Sequence, residues 1–116
     1  MEKARLERTM NLIARENLLF AMCKDYLNME WDDDENCLKI GNYHLAWGDY
    51  EIIEVDAVPY EDDTIDSILI FGDGTIEFRL AKEKDALNHA EFPFEIVDKV
   101  IENLFKKVKQ KYEKSV

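Results

Sequence analysis

Residues 2–28 carry apolar side chains at helical spacing. Leu12, Ile13, Leu19, Phe20, Cys23, Tyr26 and Leu27 recur mostly one, three or four positions apart, with no Gly or Pro among them. The spacing predicts a helix with a broad apolar arc that thins toward its first turns. Glu2, Lys3, Glu7, Arg8 and Arg15 fall mostly on the other side. A second helical stripe follows Pro93, a residue tolerated where a helix starts. Phe94, Val97, Val100, Ile101, Leu104, Phe105, Val108 and Tyr112 form it. Glu95 and Asp98 sit in its early turns, and Lys106, Lys107, Lys109, Lys111 and Lys114 crowd its end, which complements a helix dipole.

Between these helices the period drops to two. Read as one strand, residues 37–47 would put Leu38 and Ile40 on one face and Tyr43, Leu45 and Trp47 on the other. A two-residue turn at Gly41-Asn42 removes that conflict. Ile40 then faces Tyr43 and Leu38 faces Leu45, with glycine at the first central position of a type II′ turn. The same device at Gly48-Asp49 would pair Trp47 with Tyr50 and Leu45 with Ile52, which makes Trp47 and Tyr50 core residues. The strand opened there runs to about Val58 and ends at Pro59. Its Glu54 and Asp56 fall on the apolar parity, so a bulge is expected. Asp73-Gly74 is the clearest turn signal in the chain. Pairing across it sets Phe71 opposite Ile76, Leu69 opposite Phe78 and Ser67 opposite Leu80. Ile70 with Glu77 and Ile68 with Arg79 then share the reverse face. Residues 28–36 read as a loop, and residues 82–92 as a polar connection holding a short helical turn.

The element order, helix, about five strands, helix, gives an α+β class. The arrangement expected is a two-layer domain over residues 1–116, an antiparallel meander with both helices packed on one face. Its outer face would carry Ile53, Val55, Ile68 and Ile70, more apolar than a solvent face needs. A homodimer through that face, or a helix laid over it, would account for them.

Composition narrows the class. A chain of 116 residues that is 47% hydrophobic can build one core and is not a disordered acidic tail. No apolar run approaches the roughly 18 residues of a membrane span, and the first residues lack a signal-peptide core. Two cysteines, Cys23 and Cys37, make no disulfide framework. A soluble cytoplasmic protein with no membrane association is the expectation. The net charge of −11 is unevenly spread. Residues 30–66 hold thirteen acids and one base, Lys39, whereas residues 67–116 hold nine of each.

Candidate chemistry is sparse. The acidic runs fail the calcium-loop pattern, since Cys37 and Ser67 fall where glycine belongs. His44 and His89 sit in no metal-ligand spacing, so no metal or cofactor is expected. His44 opposite Lys39 and diagonal to Cys37 suggests a nucleophile pair without an orienting third group. The stretch of residues 72–75 lacks the lysine and helix of a phosphate loop. Direct nucleic-acid binding is disfavoured because the acidic third would repel phosphate.

Acids beside aromatics stand out: Trp31 with Asp32, Asp33, Asp34 and Glu35, and Tyr60 with Glu61, Asp62 and Asp63. Carboxylates next to ring faces can receive Lys or Arg by charge pairing and cation–π contact. The function expected is a non-enzymatic binding module of inhibitor, immunity or antitoxin type, presenting these nine residues to a basic protein surface. The alternatives are a small carboxylate-dependent, metal-assisted enzyme using Asp49, Glu54 and Asp56, or an oligomeric accessory protein without catalysis.

Overall fold

The computed structural model describes residues 2–114. The long helix α1, Glu2–Leu27, leads into three short strands, β1 Met29–Asp32, β2 Cys37–Ile40 and β3 Tyr43–His44. Four more strands follow: β4 Tyr50–Tyr60, β5 Asp63–Phe71, β6 Ile76–Leu80 and β7 Ala86–Asn88. A 3-10 turn at His89–Glu91 then precedes the helix α2, Phe94–Lys114. The class is α+β. The single five-strand meander is corrected, because among the described residues seven strands form two antiparallel sheets, β1-β2-β3 and β4-β5-β6-β7.

The division occurs at Gly48-Asp49. The chain does reverse there, with the Asp49 N–H donating to the Ala46 carbonyl at 2.9 Å, but β4 pairs with β5 and not with β3. The expected pairs Trp47–Tyr50 and Leu45–Ile52 therefore do not form. Trp47 (59% exposed) and Tyr50 (46%) lie at the surface rather than in the core. The Gly41-Asn42 turn does form, with Ile40 opposite Tyr43 and Lys39 opposite His44. Gly41 has φ +60° while Asn42 keeps a negative φ, as a type II′ turn requires.

Gly72 joins the two sheets. Its carbonyl accepts from the Leu38 N–H at 2.9 Å, and its own N–H donates to the Asp49 carbonyl at 3.1 Å. A Cβ on Gly72 would stand 2.3 Å from the Ala46 carbonyl oxygen, so two backbones pass where no side chain fits.

That junction resets the β5–β6 register by one residue. Residues 72–75 form the connection, closed by Phe71 N–H to Thr75 carbonyl (2.9 Å) and Gly74 N–H to Phe71 carbonyl (2.8 Å). Ile70 consequently faces Ile76, Ile68 faces Phe78 and Leu69 faces Glu77. A one-residue slip exchanges faces. Ile53, Val55, Ile68 and Ile70, expected on the outer face, are therefore core residues alongside Ile76, Phe78 and Leu80, and no dimer can use them. The expected bulge in β4 is present, as a register shift between Glu54 and Val58.

Both helices cover this buried face. Leu19, Met22 and Cys23 enter from α1, and Val97, Val100, Leu104 and Val108 from α2. The helices run parallel. Arg15, midway along α1, pairs with Asp98 near the start of α2, and Lys111 Nζ donates to the Tyr26 carbonyl near the ends of both. Ahead of Arg15, Arg8 also reaches the first turn of α2, and the two guanidinium groups stack 4.9 and 4.1 Å from the Phe94 ring centre. Ile13, expected in the apolar arc, is exposed, as are Leu6 and Met10.

Candidate functional site

The first acidic group is built on the β1–β2 hairpin, so the expected loop over residues 28–36 is mostly strand and turn. Asp32 faces Cys37 across the ladder, and residues 33–36 form the tip. Asp32 organises that tip. Its Oδ1 accepts from the Asp34 N–H at 2.9 Å and the Glu35 N–H at 3.2 Å, and its Oδ2 lies 2.8 Å from His44 Nε2. The His44 hydrogen bond, with the Glu35 and Asp34 amides, holds the Asp32 carboxyl below the usual range despite partial desolvation. Asp33, Asp34 and Glu35 are exposed and make no ion pair among the described residues. Trp31 is half-buried and packs on the core edge, beside Gly74 and Phe20. Glu30, Trp31, Asp32, Asp33, Asp34 and Lys39 line a shallow depression of about 350 Å³.

The second group lies on the tight β4–β5 turn. Tyr60 faces Asp63 across it, and Glu61, at φ +55°, and Asp62 are exposed. Tyr60 is half-buried, its ring 5.1 Å from Phe92 in an edge contact. Asp63 is a structural clamp. Oδ1 accepts from Thr64 N–H at 2.7 Å and Lys82 N–H at 2.8 Å, and Oδ2 from Glu83 N–H at 3.3 Å. Desolvation would raise its pKa, but these amides and the Lys82 charge outweigh it and hold the carboxyl low.

The two groups are not neighbours. Gly72, bonded to Leu38 beside the first hairpin, sits at one end of the β4–β5 ladder, and residues 61–62 sit at the other. Eleven residues of β4 span that ladder. At about 3.3 Å per residue, and allowing for the reach of the tip, about 20 Å or more separates them. The nine expected partner-binding residues thus form two patches, and in each the carboxylate nearest the sheet, Asp32 or Asp63, is engaged by the protein's own backbone.

The other candidates fall elsewhere. Cys37 lies on the same face as His44 and Asp32, but it is buried and makes no hydrogen bond to His44. Burial pushes the Cys23 thiol up to about 12. Glu54 and Asp56 are exposed on β4, Asp49 lies in the inter-sheet turn, and no group of three metal-ligating side chains converges among the described residues. His89 is 2% exposed, with Nδ1 3.3 Å from the Ile76 carbonyl and Nε2 3.5 Å from Glu16, so it ties the 3-10 turn to β6 and α1.

A further surface was hidden from sequence by the register slip. The face of the β4–β7 sheet away from the helices carries Tyr50 beside Phe71, then Ile52, Leu69, Glu77 and Asn88 in one row, then Glu54, Ser67, Arg79 and Ala86 in the next. A depression of about 500 Å³ opens on this face, lined by Tyr50, Leu69, Phe71, Glu77 and Arg79 among others. Alternation about the corrected register was the signal that could have found it.

No family model, curated protein or solved structure matches the chain. No helix of the described residues is long and apolar enough to cross a membrane.

Proposed function

We propose that this protein is a non-enzymatic binding module that engages a basic protein partner through exposed carboxylates, chiefly the β1–β2 tip. The observation that carries the reading is that Asp33, Asp34 and Glu35 project together from a hairpin already braced by Asp32, and no cation of the described chain pairs with them. A charged group fixed on a rigid turn loses little freedom on meeting a cation, and summed charge of one sign steers encounter. Glu61 and Asp62 form a second, smaller acidic point. Being about 20 Å or more away, they meet the same partner only if it spans both ends of the sheet.

Affinity capture at low salt tests this. The triple variant Asp33→Lys, Asp34→Lys, Glu35→Lys leaves Asp32 and its turn intact, and is expected to lose the basic partner recovered by the parent. Equal recovery by parent and variant would overturn the proposal.

A further inference from the structure

Glu77 lies at the centre of the open β4–β7 face with its charge unanswered. It is half-buried, and it makes neither an ion pair nor a side-chain hydrogen bond among the described residues. The nearest cation on its face, Arg79, is turned away toward the next row. Arg79 Nη2 donates to Ser67 Oγ at 3.0 Å and Nε approaches Asp66 Oδ1 at 3.5 Å. Lys84 stands exposed at the far rim. The ladder places Leu69 next to Glu77, and next to that row lie Tyr50 and Phe71, whose ring centres are 5.3 Å apart. An apolar and aromatic floor therefore adjoins a lone carboxylate inside a depression of about 500 Å³.

We propose that this face seats an arginine or lysine side chain of a protein partner, with the cation at Glu77 and the aliphatic stem on Phe71 and Tyr50, over the buried Leu69. This rests on the basic-partner reading and deepens it by naming a second contact and its chemistry. Charge complementarity carries the choice. Asp73 from the β5–β6 connection and Glu91 from the 3-10 turn add negative potential at Glu77, while Asn88 opposite it on β7 adds no charge. Partial desolvation, then Asp73 and Glu91, hold the Glu77 pKa above the usual value, so an incoming cation would offset the cost of its charge. The Tyr50 and Phe71 rings line the same depression as the carboxylate, and ring faces and edges suit a guanidinium and its methylene stem.

The test titrates the isotopically labelled full chain with the peptide acetyl-Leu-Arg-Leu-Arg-Leu-amide at low salt, followed by amide NMR shifts. The largest shifts are expected at Tyr50, Leu69, Phe71 and Glu77. E77Q should weaken binding about tenfold without lowering thermal stability, which shows that the fold is kept. Shifts confined to residues 31–35 would overturn the sheet-face site while leaving the basic-partner reading standing. No shifts anywhere would overturn both. Equal binding of the peptide with citrulline in place of arginine would overturn the role of Glu77, since that side chain keeps the stem and loses the charge.

Discussion

Replacing Gly72 by alanine should damage this protein far more than any other glycine-to-alanine change. The added Cβ would stand 2.3 Å from the Ala46 carbonyl oxygen, 2.4 Å from that of Leu45 and 2.8 Å from the Ala46 carbonyl carbon. Relief needs one backbone to move by about 1 Å. Both are held, through the Leu38 and Asp49 hydrogen bonds that bridge the sheets. Overpacking of this kind costs about 1–3 kcal/mol, and losing the two bonds adds about 1 kcal/mol each. The sum, about 3–5 kcal/mol, is a large share of the 5–15 kcal/mol that holds a typical domain. At roughly 4 °C per kcal/mol for a chain of this size, the thermal midpoint falls by about 12–20 °C. Gly48→Ala is the control, since nothing lies within 4 Å of its Cβ and its φ is unremarkable. Urea and thermal unfolding, followed by circular dichroism and tryptophan fluorescence, measure both. A Gly72→Ala midpoint within about 4 °C of the Gly48→Ala midpoint would refute the claim that the sheets join by backbone contact at this position.

Other outcomes follow from the same geometry. Asp63→Asn should loosen residues 81–85, seen as faster amide exchange at Lys82 and Glu83, while the helices stay protected; unchanged exchange would contradict the clamp. Stability from the depressed Asp32 and Asp63 carboxyls is fully present above the ordinary aspartate value and is lost as pH falls through their lower folded values. D32N and D63N should therefore each flatten the acid limb of a stability–pH curve. Glu77 acts with the opposite sign. Its raised pKa means ionisation opposes folding, so E77Q should be the more stable protein at neutral pH, the gap closing as pH falls below the ordinary glutamate value. Arg15→Ala removes the fork to Asp98 at 2.8 and 3.0 Å and the stack on Phe94. It should speed amide exchange over residues 2–14, where α1 has little else to hold it, and leave residues 19–27 unchanged.

The helices were legible because their apolar residues recur with one period over many turns. In α2, Val97, Val100, Leu104 and Val108 enter the core as their spacing required, and Phe105 and Tyr112 remain outside because the stripe is wider than the surface available. Gly41-Asn42 was legible for a different reason, since a two-residue turn fixes the pairing of its own neighbours. Asp73-Gly74 looked like the same case and was not. The Gly72 backbone is committed to Leu38 and Asp49, contacts distant in sequence, so the connection widens to residues 72–75 and every side chain from Ser67 to Ile70 changes partner. Local turn chemistry carries no information about a backbone arriving from another sheet. The same long-range contact explains the candidate sites. The acids themselves were visible in composition, but their division into two ends depends on where the β4–β5 hairpin is anchored. The open face around Glu77 depended on a register that only the junction sets.

Association kinetics bear most directly on the central claim. The parent and the variant with lysine at positions 33–35 are mixed, in stopped flow, with the basic partner recovered at low salt, over a series of ionic strengths. Screening lengths shrink from about 10 Å at 0.1 M to about 3 Å at 1 M. The parent's association rate should fall steeply across that range, and the variant should start slow and stay flat. A parent rate that does not change with salt, or a variant that follows the parent's curve, would contradict the account.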